Sequence, residues 1–337
     1  MSKKTRYFVA VSGAILAIGL GTGLVASYMG LPVSVFSSAA GPDELQYVPA
    51  DAAVVAYANV RDVMNSQFRQ RFRELEPSSD DKNQFEEKTG LNFEEDIDSV
   101  VAAVMPRGNL ANNPEGAFLL LARGRFEASR LEALALEHGA EVTDYQGKTV
   151  ITHRDGNATS DPSHDDMAVG FVEADLIAFG SVNMVHAAID ARRNNLNIVS
   201  TNNEMMTLVN DLDGANAWAV GRFDAIANQS GLPSEIQQHL PAISWFSAAG
   251  HVNGGVSGMI KAEAKDETSA QNLRDVIRGV LAVAKMQAGT KPGMQQMVDS
   301  LQLAGEGKTV SLAFAVPSEL LDVIEAMAKG RKPALQQ

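Results

Sequence analysis

Residues 100–122, VVAAVMPRGNLANNPEGAFLLLA, decide how the fold is read. Two apolar runs, Val100 to Met105 and Ala117 to Ala122, flank Pro106-Arg-Gly-Asn and Asn112-Asn-Pro-Glu-Gly. Short aliphatic runs bounded by Pro, Gly and Asn read as two strands joined by a long turn. Upstream, Val54-Val55-Ala56-Tyr57-Ala58 reads as another strand. It leads into a helix over Arg61 to Leu75, where Val63, Met64, Phe68 and Phe72 recur at helical spacing. Downstream, Glu127 to His138 reads as a helix stopped by Gly139, and Glu141–Tyr145 with Thr149–Thr152 as a hairpin about Gln146-Gly147. The order β-α-β-β-α-β is that of a ferredoxin-like, split βαβ arrangement.

The pattern continues and then restarts. Ala168–Val172 and Leu176–Phe179 are strands before a helix capped by Ser181. Ala217-Trp-Ala-Val220 opens a second series, with a hairpin of Trp245–His251 and Val256–Ala262 about Asn253-Gly254-Gly255. A long amphipathic helix follows, placing Leu273, Val276, Ile277, Val280, Leu281 and Ala284 on one face. Thr309–Val316 is a strand, and Ser318 caps a last helix through Met327. Ala56-Tyr-Ala-Asn-Val-Arg-Asp is similar to Trp218-Ala-Val-Gly-Arg-Phe-Asp, and Gly147-Lys-Thr-Val recurs as Gly307-Lys-Thr-Val. The fold class expected is therefore α+β: duplicated units of antiparallel sheet with helices on one face, spanning 47–211 and 212–330, with a tail at 331–337.

The N-terminus is of another kind. Lys3, Lys4 and Arg6 form a basic stub (1–6), and no ionisable side chain follows until Asp43. Within that gap residues 7–29 are almost wholly apolar, long enough as a helix to cross a bilayer core of roughly 30 Å. Cations only on the N-terminal side place that end in the cytoplasm and the remainder outside it. The expectation is a single N-terminal transmembrane helix in the inner membrane, a stalk at 30–46, and the folded mass in the periplasm. Ser38-Ala39-Ala40 also fits a signal-peptidase site, so a cleaved signal peptide is the rival reading. Gly19 and Gly23 make a GxxxG pair that lets membrane helices approach closely, although glycine is common in such segments.

Composition narrows the function. Without the three N-terminal cations, 25 Lys and Arg face 41 Asp and Glu, a net charge of −16. That field repels phosphate backbones, so no nucleic acid is expected as a partner. The chain has no cysteine, which removes thiol chemistry and Cys-built zinc sites.

Candidate sites fare poorly. Gly305-Glu-Gly-Lys-Thr309 ends like a phosphate loop, but Gln302 stands where the first Gly belongs and a strand follows. Gly255-Val-Ser257-Gly258-Met259 misses the nucleophile-elbow pattern at Met259. The histidines His138, His153, His164, His186, His239 and His251 show no metal-binding spacing. His164, Asp165 and Asp166, near Asp155 and Asp161, are the hard-metal candidates, against the plainer reading of a solvated acidic loop. Glu94, Glu95, Asp96 and Asp98 could do acid–base work, but helix N-terminal acidity explains them equally. Trp218 and Trp245 read as core. No catalytic residue and no cofactor site is assigned.

Val48-Pro-Ala-Asp51, Ala122-Arg123-Gly124-Arg125-Phe126 and Gly221-Arg222-Phe223-Asp224 together resemble an uncharacterised family of bacterial exported proteins. The resemblance covers most of the chain beyond the stalk. It implies export, N-terminal anchoring and a duplicated α+β ectodomain, and implies no activity. The expected function is a membrane-tethered binding or scaffold protein with a protein partner, or an accessory subunit of a membrane complex. The alternative is a periplasmic hydrolase-type enzyme whose residues meet only in three dimensions. A flat apolar patch or an open sheet edge would favour the first, and a cleft with perturbed acids the second.

Overall fold

The computed structural model describes residues 41–73, 86–105, 118–153, 167–194, 197–212, 214–223, 242–288, 295 and 298–316. The apolar run 7–29 with Gly19 and Gly23, most of the stalk, His164, Asp165 and Asp166, and the helix expected from Ser318 lie outside them. Among the described residues no helix is long and apolar enough to cross a membrane.

The protein is a mixed α+β chain that divides into two compact units, with the division after Asp211 and residues 62–73 grouping with the second. In the first unit, a 3₁₀ turn (Asp43–Tyr47) precedes β1 (Val54–Asn59). The helices α1 (Val60–Asn65) and α2 (Gln67–Arg73) come next in the chain but group with the second unit from Asp62 on, and the first unit resumes with the short α3 (Phe93–Asp96) running into β2 (Ile97–Val104). After β3 (Phe118–Gly124) come α4 (Ala128–Glu137), β4 (Glu141–Tyr145), β5 (Lys148–His153), β6 (Met167–Glu173), β7 (Leu176–Ser181), α5 (Val182–Asn194) and α6 (Asn203–Asn210).

The strands of this unit lie in the order β1-β2-β3-β7-β6-β5-β4, and each pairing is antiparallel. The β-α-β-β-α-β element order is therefore not realised as a split βαβ. That motif needs a crossover between parallel strands, whereas β1, β2 and β3 are successive neighbours. The register of β2 on β3 sets Val101 opposite Leu121 and Ala103 opposite Leu119, all buried. Helix α5 packs on β6 and β7. It can approach because Gly170 has no side chain: a Cβ there would meet Val185 Cγ1 at 2.6 Å.

Turn chemistry carries the expected signals. Gln146 and Gly147 both have positive φ (57° and 77°), as a two-residue hairpin of type I′ requires, and Tyr145 pairs with Lys148 across it. Helix α4 ends as Gly139 predicts. Its φ is 78°, and Ala140 N and Gly139 N donate to Ala135 O and Leu136 O, a Schellman motif. Ser181 does not cap α5, because its hydroxyl is buried without a hydrogen bond.

The second unit carries β8 (Ala217–Arg222), β9 (Ile243–Val252), β10 (Val256–Ala264), α7 (Glu267–Ala288), β11 (Gln302–Ala304) and β12 (Thr309–Val316). The strand order is β8-β9-β10-β12-β11, again antiparallel throughout. Asp266 starts α7 by accepting from Ser269 N at 2.7 Å. The helix closes a small core of Ile243, Ala264, Ala270, Leu273 and Val310, with Phe223, Ala262, Ile277 and Leu303 packed on it.

Candidate interaction surface

Of the carboxylates singled out in the sequence, Asp96 and Asp98 serve the fold. Asn92 caps α3 by accepting from Glu94 N, and Asp96 accepts from Asn92 N at 2.8 Å. Asp96 also pairs with Arg125 at 3.1 Å, and Asp98 pairs with Arg61. Ser257 lies opposite His251 on the β9–β10 hairpin, but His251 Nδ1 is buried without a hydrogen-bond partner. Gly307 (φ 54°) shapes a turn into β12, so Gly-Lys-Thr feeds a strand here as at β5. Trp218 is buried as expected. Among the described residues no group of three His, Asp or Glu side chains is placed to hold a metal ion.

What sequence reasoning missed is an ion network at the start of the first unit. The 3₁₀ turn buries Leu45 and Tyr47, and with them Glu44, whose side chain is only 4% exposed. Arg123 Nε donates to Glu44 Oε1 at 2.6 Å, and Ser99 Oγ donates to the same oxygen at 3.0 Å. Arg123 Nη1 reaches Asp175 at 2.7 Å and lies 3.6 Å from Glu173, which in turn accepts from Tyr47 Oη at 2.6 Å. Burial disfavours the guanidinium charge, but hydrogen bonds and attraction from Glu44 and Asp175 outweigh it and raise the Arg123 pKa. Next to it, a Cβ on Gly124 would lie 2.1 Å from the Asp96 carbonyl oxygen. The Ala-Arg-Gly-Arg-Phe run thus encodes a knot of contacts. The distant partners Glu44 and Asp175 leave no local sequence signal.

A second cluster ties the edge strand β4 to α5. The Tyr145 ring stacks on His186 with centroids 3.7 Å apart and planes 4° from parallel, and its hydroxyl donates to Asp190 at 2.8 Å. That hydrogen bond, then burial, raises the Tyr145 pKa. Burial lowers that of His186 against the opposing pull of Asp190. A shallow cleft of about 260 Å³ opens beside Gly90, Arg125 and Leu131. Its lining cation, Arg125, is already engaged by Asp96 and the Glu95 carbonyl.

Among the described residues, the outer face of α7 has no apolar partner in the core. The sequence places Val276 and Val280 on the buried face, but the helix turns a narrower stripe inward. Ala270, Leu273 and Ile277 meet the core, while Val276 is 38%, Val280 62%, Val283 53% and Met286 82% exposed. At about 100° per residue, Val276, Val280 and Val283 fall on one flank. On the opposite flank Arg274 donates to Gly307 O and Thr309 O at 2.8 and 2.9 Å, and Lys285 pairs with Asp299 at 3.4 Å. From Val276 to Ala284 only Arg278 is charged, and it is paired with Asp275. A helix apolar over most of its circumference is one that is buried against something.

Comparison with known proteins adds little to this geometry. One solved structure, "Structure of crystal form I of TP0453", is similar at 12% identity and a TM-score of 0.43, over 85% of this chain and 98% of that one. No family model and no curated protein matches the chain.

Proposed function

We propose that the protein is a non-catalytic binding or scaffold module, held to the inner membrane by its N-terminal apolar segment, with its α+β units in the periplasm. The carrying observation is the outer face of α7, where four large apolar side chains stand in water beside a well-formed core. Apolar side chains exposed together along one flank of a helix favour protein contact. Asp96 and Asp98 are occupied in ion pairs with Arg125 and Arg61, which fits a structural role. The two units are proposed as copies of one ancestral unit. Each runs through three consecutive strands, a helix and a hairpin, and the first carries the added β6–β7 pair between β3 and β5.

The test is photo-crosslinking from residue 283 in native membranes, followed by mass spectrometry of the adduct. A reproducible protein adduct from residue 283, absent when the probe sits at the opposite-flank residue 278, supports the reading. Adducts of equal yield from both positions, or none from either, would sink it.

A further inference from the structure

The geometry points to a modification site at the tip of the β9–β10 hairpin, where Asn253 and Gly254 form a self-deamidating pair whose reaction the fold promotes. This inference is independent of the binding reading above. Asn253-Gly254 is the one Asn-Gly step in the chain, and glycine leaves the attacking backbone nitrogen uncrowded. The reaction needs a free side-chain amide, a free Gly254 N–H, and stabilisation of the charge formed when that N–H ionises.

The hairpin tip supplies all of these. Asn253 is exposed, and among the described residues neither its carboxamide nor the Gly254 N–H makes a hydrogen bond. Ionising the Gly254 nitrogen spreads negative charge onto the main-chain carbonyl oxygen of Asn253. That oxygen already accepts from Phe68 N in α2 at 2.8 Å, a donor placed where the charge develops. Flanking bonds fix the tip: Val252 N donates to Asn216 Oδ1 at 2.6 Å, and Asn253 N donates to Gly255 O at 2.9 Å.

The step needs no co-reactant except water. The deprotonated Gly254 nitrogen attacks Asn253 Cγ; a C–N bond forms, the bond to the amide NH2 breaks, and ammonia leaves with the proton. Water then opens the cyclic imide. Opening at Cγ gives aspartate. Opening at the main-chain carbonyl gives isoaspartate, which routes the chain through the former side chain and lengthens it by one methylene. Isoaspartate displaces the carbonyl that Phe68 binds, so the reaction loosens α2 from the hairpin.

Two other asparagines serve as internal controls. The nitrogen after Asn65 is engaged, because Ser66 N donates to Val63 O at 3.2 Å. The carboxamide of Asn216 is tied to Val252 N.

The test incubates the full chain, folded and urea-unfolded, at one mildly alkaline pH and maps its peptides by mass spectrometry. Aspartate and isoaspartate at position 253 should appear several-fold faster in the folded chain than in the unfolded one. In the folded chain they should also outpace conversion at Asn65 and Asn216 several-fold. After incubation, the amides of α2 should exchange with deuterium several-fold faster than in fresh protein. The Asn253→Gln chain, whose larger ring closes far more slowly, should show neither change. Conversion at 253 that is equal or slower in the folded chain, or matched at Asn65 or Asn216, overturns the site. Conversion without faster exchange in α2 overturns its coupling to the helix.

Discussion

Arg123→Met isolates the worth of the buried network at the start of the first unit. In the native chain the Glu44 carboxylate is almost fully buried, and its charge is balanced by the Arg123 guanidinium with help from Ser99. Methionine keeps most of the volume and removes the charge, leaving one hydroxyl to hold a buried carboxylate. Breaking a buried pair from one side costs about 3–5 kcal/mol. The contact of Arg123 with Asp175 adds little, because Asp175 is 55% exposed and such pairs contribute about 0–1 kcal/mol. The expected loss is therefore about 3 kcal/mol or more, dominated by Glu44. Both tryptophans, Trp218 and Trp245, lie in the second unit, so their fluorescence is a poor reporter. Urea unfolding followed by hydrogen exchange of peptides from β2 and β3 reads the right region. With a urea slope near 3 kcal/mol/M, the midpoint should fall by about 1 M. The double variant Glu44→Gln/Arg123→Met removes both charges and should recover more than half of the loss. A single-variant loss under about 1 kcal/mol, or a double variant no better than the single, would refute the assignment of the energy to Glu44.

Other substitutions test other links. Gly124→Ala pushes a methyl into the Asp96 carbonyl and should cost at least about 2 kcal/mol in thermal unfolding, whereas Gly147→Ala meets no atom within 4 Å and should lose only the left-handed backbone preference of about 1 kcal/mol. Because burial lowers the His186 pKa, the unfolded chain takes up that proton first as pH falls. The stability His186 contributes is thus complete above about pH 6.5 and is lost below it. His186→Phe keeps a ring against Tyr145 and should flatten the fall in melting temperature between pH 7 and 5; an unchanged slope would count against this. Leu273→Ala should destabilise the second unit by about 2–5 kcal/mol. Val280→Asp with Met286→Asp should change the melting temperature little while abolishing the adduct from a probe at residue 283.

Much of the architecture was legible because it is written locally. The β2–β3 pair, the Gln146-Gly147 hairpin and the Gly139 helix stop each depend on a few adjacent residues, and each lies where the sequence places it. Strand order is a long-range property, so the β6–β7 hairpin between β3 and β5 could not be read from periodicity. Ser181 shows the limit of cap rules, since a suitable residue at the right position is buried unbonded. On α7 the apolar residues were identified correctly, but the width of their stripe exceeds what one sheet can cover. Sequence gives the period of a pattern and leaves open how much of it finds a partner. The Glu44–Arg123 pair, 79 residues apart, is silent in sequence because neither side chain is unusual in its local context.

The pinned 3₁₀ turn also sets a length scale. From Gly41 onward the chain is committed to the first unit: a Cβ on Gly41 would touch Leu45 and Val209, and Glu44 follows three residues later. On the proposed reading in which residues 7–29 hold the chain to a bilayer, the chain between the lipid and the first unit is residues 30–40, eleven residues. Fully stretched, that leash reaches at most roughly 40 Å. On that same reading the point where the first unit begins stays within that distance of the lipid surface, so the unit's own size adds to the leash to set how far from the membrane a partner can be met.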